Sequence, residues 1–494
     1  MLDQARIDTL AAQDVRPGAH IIDGERHGAS DGGEMDVISP LNGKVLTTIP
    51  RGTREDADRA IASARRAFED GRWADLPPAA RKRTLLKWAD LIEANALELA
   101  VLGVRDNGTE IGMAFKAEPL SAVATIRYYA EAIDKLYGEI APTDPSILAL
   151  VHRAPVGVVG AIVPWNFPLM IGAWKVAPAL AAGNSVVLKP AETASLTLLR
   201  IAELALDAGI PPGVFNVVTG EGAVVGEAMG LSMDVDVLVF TGSGPVGRRL
   251  LEYSAKSNLK RVFLELGGKS PNIVFADAPD LTEAVKVSAN GIFRNAGQVC
   301  VAGSRLLVER SIHDEFVSKL AEFVKTMSVG NPLDPSTSAG AVNSLRQLDQ
   351  NLRFVDEARS AGRVVIGGAR ILEETGGYFM EPTIVTGVDP SDPIAQNEVF
   401  GPVVAVIPFD SEDEAVRIAN GTDYGLAAAV WTRDLSRAHR MIRAIRAGVV
   451  HVNTYGGPDV TVPIGGVKQS GNGHDKSLHA FDKYLDLKTA WIKL

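Results

Sequence analysis

The chain holds one cysteine, Cys300, in the stretch NGIFRNAGQVCVAGS from Asn290 to Ser304. A lone thiol makes no disulfide within its own chain. It reads either as a small buried hydrophobe, the common fate of a free cysteine, or as a nucleophile. A nucleophile needs a base and an oxyanion donor supplied from elsewhere in the sequence. Gly297 and Gly303 flank it and allow close backbone bends that leave room for a ligand. Glu265 ends the apolar run RVFLEL, just before Gly267-Gly268-Lys269. A buried acid is costly without a partner or a role. It either pairs with Lys269 or serves as a general base with a raised pKa. Asn166 lies between Pro164 and Pro168. It is either a turn asparagine satisfied by its own backbone or a fixed amide donor for a developing oxyanion.

A second group of residues suits a dinucleotide. Gly242-Ser-Gly-Pro-Val-Gly247 matches G-x-G-x-x-G between a strand and a helix. Free N–H groups at such a helix start favour a phosphate, and Pro245 fits the first helical turn. The motif alone is weak, since glycine-rich strand–helix turns are common. Lys189 and Glu192 close another strand, either as a solvated pair or as a clamp on ribose hydroxyls. An acid at the ribose favours NAD over NADP by repelling a 2′-phosphate. Glu398 and Phe400 stand before a buried strand in EVFGP, where Phe400 is core or packs beside a nicotinamide.

These residues need a frame. Thr53-x-x-Asp56 resembles a capping box opening a helix that ends before Gly71. Helices fit Ala79–Val104 and Leu120–Leu136. From Val156 onward, apolar strand runs alternate with helices over Leu169–Ala182, Ser195–Ala208 and Ala223–Met229, and then from Gly247 to Ser254. That alternation predicts a doubly wound parallel sheet, with ligands beyond the strands' C-terminal ends. The second half repeats it, with helices at Leu281–Phe293, Ile312–Met327, Glu412–Ala419 and Leu435–Ile445, and reads as a second α/β domain. The chain closes on a strand-like piece, LDLKTAWIKL, suited to pairing with another subunit.

Composition narrows the classes. At 494 residues the chain is long enough for two or three domains. The net charge of −10 makes nucleic acid an improbable partner. The uncharged run Ala154–Trp174 is long enough to span a bilayer, but its prolines and glycines would leave backbone groups unsatisfied in lipid. No secretory signal is visible, and one cysteine fits a reducing, cytoplasmic setting. The eight histidines show no metal spacing, so no metal is expected.

Taken together, the sequence resembles the aldehyde dehydrogenase superfamily. The matching pieces are PWNFPL (164–169), LKPAE (188–192), FTGSGPVG (240–247), LELGGKSPNIVF (264–275), GQVC (297–300), EVFGPV (398–403) and GGVKQSGNG (465–473). The C-terminal stretch looks most like bacterial γ-glutamyl-γ-aminobutyraldehyde and 4-guanidinobutyraldehyde dehydrogenases. The resemblance implies a Rossmann-like NAD domain (1–127 and 149–266), an α/β catalytic domain (267–473) and a small β oligomerisation element (128–148 and 474–494). It implies Cys300 as nucleophile, Glu265 as base, and Asn166 with the Cys300 amide as oxyanion hole. Ile162, Trp165, Asn166, Lys189, Glu192, Gly222, Phe240, Gly242, Ser243, Val246, Leu266, Glu398 and Phe400 would meet the cofactor. Phe167, Met170, Trp174, Val299, Val301, Tyr455 and Ile464 would line the substrate tunnel, with Ile464 in place of the usual aromatic. Asp106 and Asp459 are candidates for a cationic substrate tail. The expected partners are a small aldehyde and a second or fourth copy of the chain, with neither nucleic acid nor membrane. Alternatives are a broad-specificity, betaine or aliphatic aldehyde enzyme, a CoA-acylating semialdehyde enzyme, or a member without catalysis.

Overall fold

The structure is a computed structural model that describes residues 2–457 and 459–494. Two seven-stranded sheets carry most of the chain. In the first, five parallel strands run in the spatial order Arg261–Glu265, Val237–Thr241, Val158–Ile162, Ser185–Lys189 and Phe215–Val217. The hairpin His20–Ile22 and Glu25–His27 extends it antiparallel. Val158–Ile162 and Ser185–Lys189 are buried along their whole length, as continuous apolar runs covered on both faces must be. The strand earliest in the chain among the five sits in the middle. The order therefore reverses beside it, and a crevice opens at its C-terminal end. Trp165 and Asn166 follow that strand, and Gly242 follows its neighbour.

The second sheet has the order Val364–Ile366, Thr383–Thr386, Val403–Phe409, Arg305–Glu309, Pro271–Val274, Ala427–Trp431 and Val449–Val452. Only its first pair is antiparallel. The two sheets meet in a way that composes the site. Glu265 ends a strand of the first sheet, whereas Cys300 and Glu398 precede strands of the second. The chemistry therefore lies between C-terminal strand ends on one side and N-terminal strand ends on the other.

Local signals hold where they are strong. The capping box forms, with Thr53 Oγ1 accepting from the Asp56 amide at 3.2 Å and Asp56 accepting from the Thr53 amide at 3.0 Å. Ala154–Trp174 folds as the end of one strand, a buried strand and the start of a helix. The expected helix 79–104 is two helices, Pro78–Ala94 and Ala96–Asn107, broken at Asn95. The helix expected from Leu120 is Ser121–Ala132, entered through a π-helical turn, Lys116–Leu120, that accommodates Pro119. A helix at Leu345–Ser360 had no counterpart in the sequence reading.

The expected domain edges at 128 and 148 fall inside intact elements, the helix Ser121–Ala132 and the strand Ile147–Pro155. A third sheet pairs Glu139–Ala141 with Ile147–Pro155 and the latter with Leu485–Lys493. Residues 128–132 belong to a helix of the first unit. Ala480, Phe481 and Tyr484 pack into the large apolar core that contains Trp88 and Trp174. Burial of these side chains, rather than strand pairing, decides where the 474–484 segment lies. Among the described residues no helix is long and apolar enough to cross a membrane.

Candidate active site

Cys300 follows a short, strained turn. After the helix Leu281–Phe293, the backbone passes through positive φ at Asn295 (51°), Ala296 (49°) and Gly297 (72°). Non-glycine residues in this region cost about 1–3 kcal/mol each and persist only where surrounding bonds enforce them. The bonds are present. The Asn295 amide donates to the Glu110 carboxylate at 3.2 and 3.3 Å. Thr109 Oγ1 donates to Asn295 Oδ1 at 2.8 Å, and Asn295 Nδ2 reaches the carbonyls of Asn166 and Gln298, each at 3.3 Å. Asn166 Nδ2 donates to the Gln298 carbonyl at 2.9 Å. That bond ties the amide to the cysteine loop while using only one of its two N–H groups. The other N–H makes no hydrogen bond among the described residues.

Glu265 is buried, and its Oε1 has no hydrogen-bond partner among the described residues. Lys269 is not its counter-ion. The Lys269 ammonium is buried with no hydrogen-bond partner among the described residues, and burial pushes its pKa down to about 7, against the pull of Glu398. Glu265 faces a different set of charges: Asp475, Lys175 and Lys483. Asp475 Oδ2 meets Lys175 Nζ at 2.5 Å, and its other oxygen meets Lys483. Burial opposes the charge on Asp475, but the two ammonium groups outweigh it and hold its carboxyl below the usual range. Burial first, then the Asp475 charge, raise Glu265 well above the ordinary carboxylate range, while Lys175 and Lys483 pull the other way.

The thiol is pushed up to about 12 by burial and then by the charges of Glu398 and Glu265, against the pull of the Val301 and Cys300 amides. Cys300 is half-buried, and its surroundings favour the protonated thiol over the thiolate. Burial also lifts Glu398 to about 7. A pocket in which two acids raise the thiol between them is prepared for a cation.

The crevice beside the first sheet fits a dinucleotide. The helix Gly244–Ala255 begins after Ser243 with no side chain capping its N–H groups, which leaves them for a phosphate. Lys189 Nζ and Glu192 Oε1 are 3.1 Å apart, and the Gly222 amide donates to the same oxygen at 2.7 Å. Phe240 and Leu266 are buried beneath the loop, and Val246 is exposed at its surface. A side chain at Gly242 would collide with the Phe240 ring at 2.4 Å, and one at Gly267 with the Glu398 carboxylate at 2.0 Å. Backbone thus comes close to both ends of the crevice. The Gly268 amide holds Glu398 Oε1 at 3.0 Å. Phe400, itself at φ 59°, packs edge-on against Trp165 with ring centroids 5.2 Å apart. Ile162 lines the same strand end.

Residues 27–490 match the model of the aldehyde dehydrogenase family. The chain belongs to that family. It is 50% identical over 475 residues to the NADP/NAD-dependent aldehyde dehydrogenase PuuC of Escherichia coli, covering 96% of this chain and 95% of the relative. It is 52% identical, with a TM-score of 0.98 and all of both chains covered, to the solved indole-3-acetaldehyde dehydrogenase AldA of P. syringae in complex with NAD+ and IAA. It is 50% identical, with a TM-score of 0.97 and again full coverage, to the solved γ-glutamyl-γ-aminobutyraldehyde dehydrogenase of Burkholderia cenocepacia.

In this aldehyde dehydrogenase, the expected tunnel residues lie around the helix Pro168–Ala181 and the cysteine loop. Phe167, Trp174 and Ile464 are buried in one apolar cluster, with Met170, Val299 and Val301 packed against it. Tyr455 donates its hydroxyl to the Val301 carbonyl at 2.5 Å. Asp106 is not available to a substrate. It is buried as the cap of the helix Leu196–Ala208, with Oδ2 accepting from the Leu196 amide at 2.9 Å. Asp459 is exposed and binds the Thr461 amide at 2.9 Å. Sequence reasoning missed a nearer acid. Glu118, in the π-helical turn, accepts from the Met170 amide at 2.7 Å. The Leu169 amide also faces its carboxylate, and burial raises its pKa to about 8 against the pull of both amides. The signal available in the sequence was an acid in an otherwise apolar segment, KAEPLSAV.

Proposed function

We propose that this aldehyde dehydrogenase oxidises a small aldehyde carrying a cationic amine tail to the carboxylic acid, with NAD as its cofactor. The observation that carries the chemistry is the convergence of Cys300, the second N–H of Asn166 and the buried Glu265. Cys300 gives its proton to whichever facing acid is ionised, Glu398 or Glu265, that acid returns the proton to solvent before hydrolysis, and Sγ adds to the carbonyl carbon. The new oxyanion is held by Asn166 Nδ2 and the Cys300 amide. Lys189 and Glu192 would hold the adenosine ribose, the amides after Ser243 the pyrophosphate, and Glu398 with Phe400 the nicotinamide riboside. When bound, NAD supplies a cationic hydride acceptor, the charge that the thiol and the two acids lack. The thioester left on Cys300 is opened by a water from which Glu265 takes a proton. A base at this point supports hydrolysis rather than transfer to CoA, and acyl-CoA formation in the presence of CoA would count against it.

Glu118 supports the amine tail. A buried carboxyl with a pKa near 8 is largely neutral when alone and ionises when an ammonium arrives. The solved γ-glutamyl-γ-aminobutyraldehyde dehydrogenase points the same way. A second reading, an apolar aromatic aldehyde, is favoured by the buried Phe167, Trp174 and Ile464 and by the solved indole-3-acetaldehyde relative. Steady-state kinetics on 4-aminobutyraldehyde, 4-guanidinobutyraldehyde, γ-glutamylated aminobutyraldehyde, betaine aldehyde, hexanal and indole-3-acetaldehyde separate them. Glu118→Gln is expected to lower kcat/KM for the amino aldehydes about tenfold, the size of one charge-assisted hydrogen bond, and to leave hexanal unchanged. Equal losses on all substrates, or a wild-type preference for the apolar aldehydes, would sink the amine reading.

Assembly as a dimer or tetramer in the cytoplasm completes the proposal. The third sheet exposes Ile140, Leu487 and Trp491. Leu487 and Trp491 share one face of one edge strand and Ile140 stands on the opposite edge strand, and exposed apolar side chains on sheet edges suit a subunit contact. Trp491→Asp is expected to lower the molar mass seen by light scattering, and an unchanged mass would place the interface elsewhere.

A further inference from the structure

On the outer side of the first unit, the N-terminal segment folds over the helices Ala96–Asn107 and Leu196–Ala208. It leaves a cavity of about 270 Å³. The floor is apolar: Leu10, Val101, Leu102, Leu196 and Leu199. The rim is cationic: Arg16, Arg26, Arg105 and Arg200, against the acids Asp14, Glu98 and Glu203. Three of the guanidinium groups crowd a single carboxylate. Arg16 meets Glu203 at 2.5 Å, Arg26 touches the same oxygen, and Arg200 reaches the other at 3.4 Å while also holding Glu98 at 3.1 Å. Each guanidinium has five donors, so this arrangement leaves N–H groups unused.

Arg105 is the odd member. It makes no ion pair among the described residues. Its Nη1 donates to the Gln13 carbonyl at 2.8 Å. Burial lowers its pKa, and Asp14 is the one acid whose charge opposes that. Four cations facing three acids leave room for one further negative charge. The ligand's shape follows from the lining. A floor of leucine and valine with a few converging charges is the usual composition of a small-molecule site. The volume lies below the roughly 300–1,000 Å³ of drug-sized pockets, so the ligand is small. A phosphate is disfavoured. It would bring more than one charge, and the helix-start amides it would use, at Ser195 and Leu196, are already held by Asp106. A planar carboxylate matches the guanidinium fork.

We propose that this cavity binds a small amphiphilic monocarboxylate, its body on the leucine and valine floor and its carboxylate against Arg105. The site is separate from the catalytic crevice, and the proposal stands whichever aldehyde the enzyme oxidises.

Isothermal titration of the full-length protein tests it. Phenylacetate and hexanoate are the probes. Inorganic phosphate serves as a head without a body, and benzyl alcohol as a body without a head. Saturable binding of the two carboxylates is expected, with dissociation constants in the millimolar range or tighter. Arg105→Leu removes the charge and Leu102→Trp fills the floor. Each is expected to weaken binding about tenfold or more while kcat/KM for aldehyde stays within about twofold. Arg16→Ala, on the exposed rim, is expected to weaken binding severalfold and carries the test if Arg105→Leu does not fold. Equal affinity in all variants would place the carboxylate in the catalytic tunnel and overturn the proposal. So would phosphate binding as tightly as phenylacetate, which would mark a plain charge cluster, or no saturation at all.

Discussion

Glu265 can act as a base only when ionised, and the charges around it decide at what pH that happens. Burial and Asp475 raise its pKa, while Lys175 and Lys483 lower it. Lys483→Met removes one lowering charge while keeping the length of the side chain. It also leaves Asp475 less neutralised, which acts in the same direction, because Lys483 is in contact with that carboxylate. Two unit charges about 6 Å apart interact by about 3 kcal/mol at an effective dielectric near 20, equal to about 2 pKa units. An upward shift of about one to two units is therefore expected for Glu265. Asp475→Asn removes the anion and is expected to shift it down by a similar amount.

The sign of the assay follows. Rate rises with pH as the base ionises, so the rising limb of the kcat profile moves to higher pH in Lys483→Met and to lower pH in Asp475→Asn. Both variants break a buried ion cluster. Such a loss is worth about 3–5 kcal/mol of stability, so folding is checked by circular dichroism at the assay temperature, and active sites are counted by the NADH burst. Limbs that move in the same direction in both variants, or do not move, would show that these charges do not govern the base.

Two further outcomes test the nucleophile and its oxyanion hole. Asn166→Ala removes one donor and is expected to lower kcat on the order of a hundredfold, about 3 kcal/mol, while NAD affinity measured by fluorescence titration is unchanged; a matching loss of NAD affinity would show a collapsed loop instead. The thiol is held near 12 by burial and two acids, so its alkylation by iodoacetamide should be slow at neutral pH in the free protein. NAD, as a cation beside those acids, is expected to move the midpoint of the alkylation-rate profile to lower pH, and an unmoved midpoint would remove the electrostatic role given to the cofactor.

What the sequence revealed, and what it hid, divides along contact distance in the chain. Cys300, Asn166 and the loop 242–247 stand out as candidates because their surroundings are local: flanking glycines, two prolines, a strand running into a helix. Their spacing carries the geometry. The tuning of the base was not legible. Lys175 and Asp475 are 300 residues apart, and a lysine in an apolar helix or an acid in NGHDKS says nothing alone about the other. The nearest charge in sequence, Lys269, suggested a salt bridge to Glu265 that the strand directions forbid. Glu265 ends a strand of the first sheet, while Lys269 leads into a strand of the second. Asp106 and Glu118 exchanged roles for a related reason. Both are buried acids that bind the first amides of a helix. Only the fold shows that one helix faces the outer cavity and the other carries Met170 and Trp174 beside the cysteine loop. The proposed catalytic residues thus lie in short motifs, whereas the charges that tune Glu265 and the acid proposed for the substrate tail depend on pairs of residues that only folding brings together.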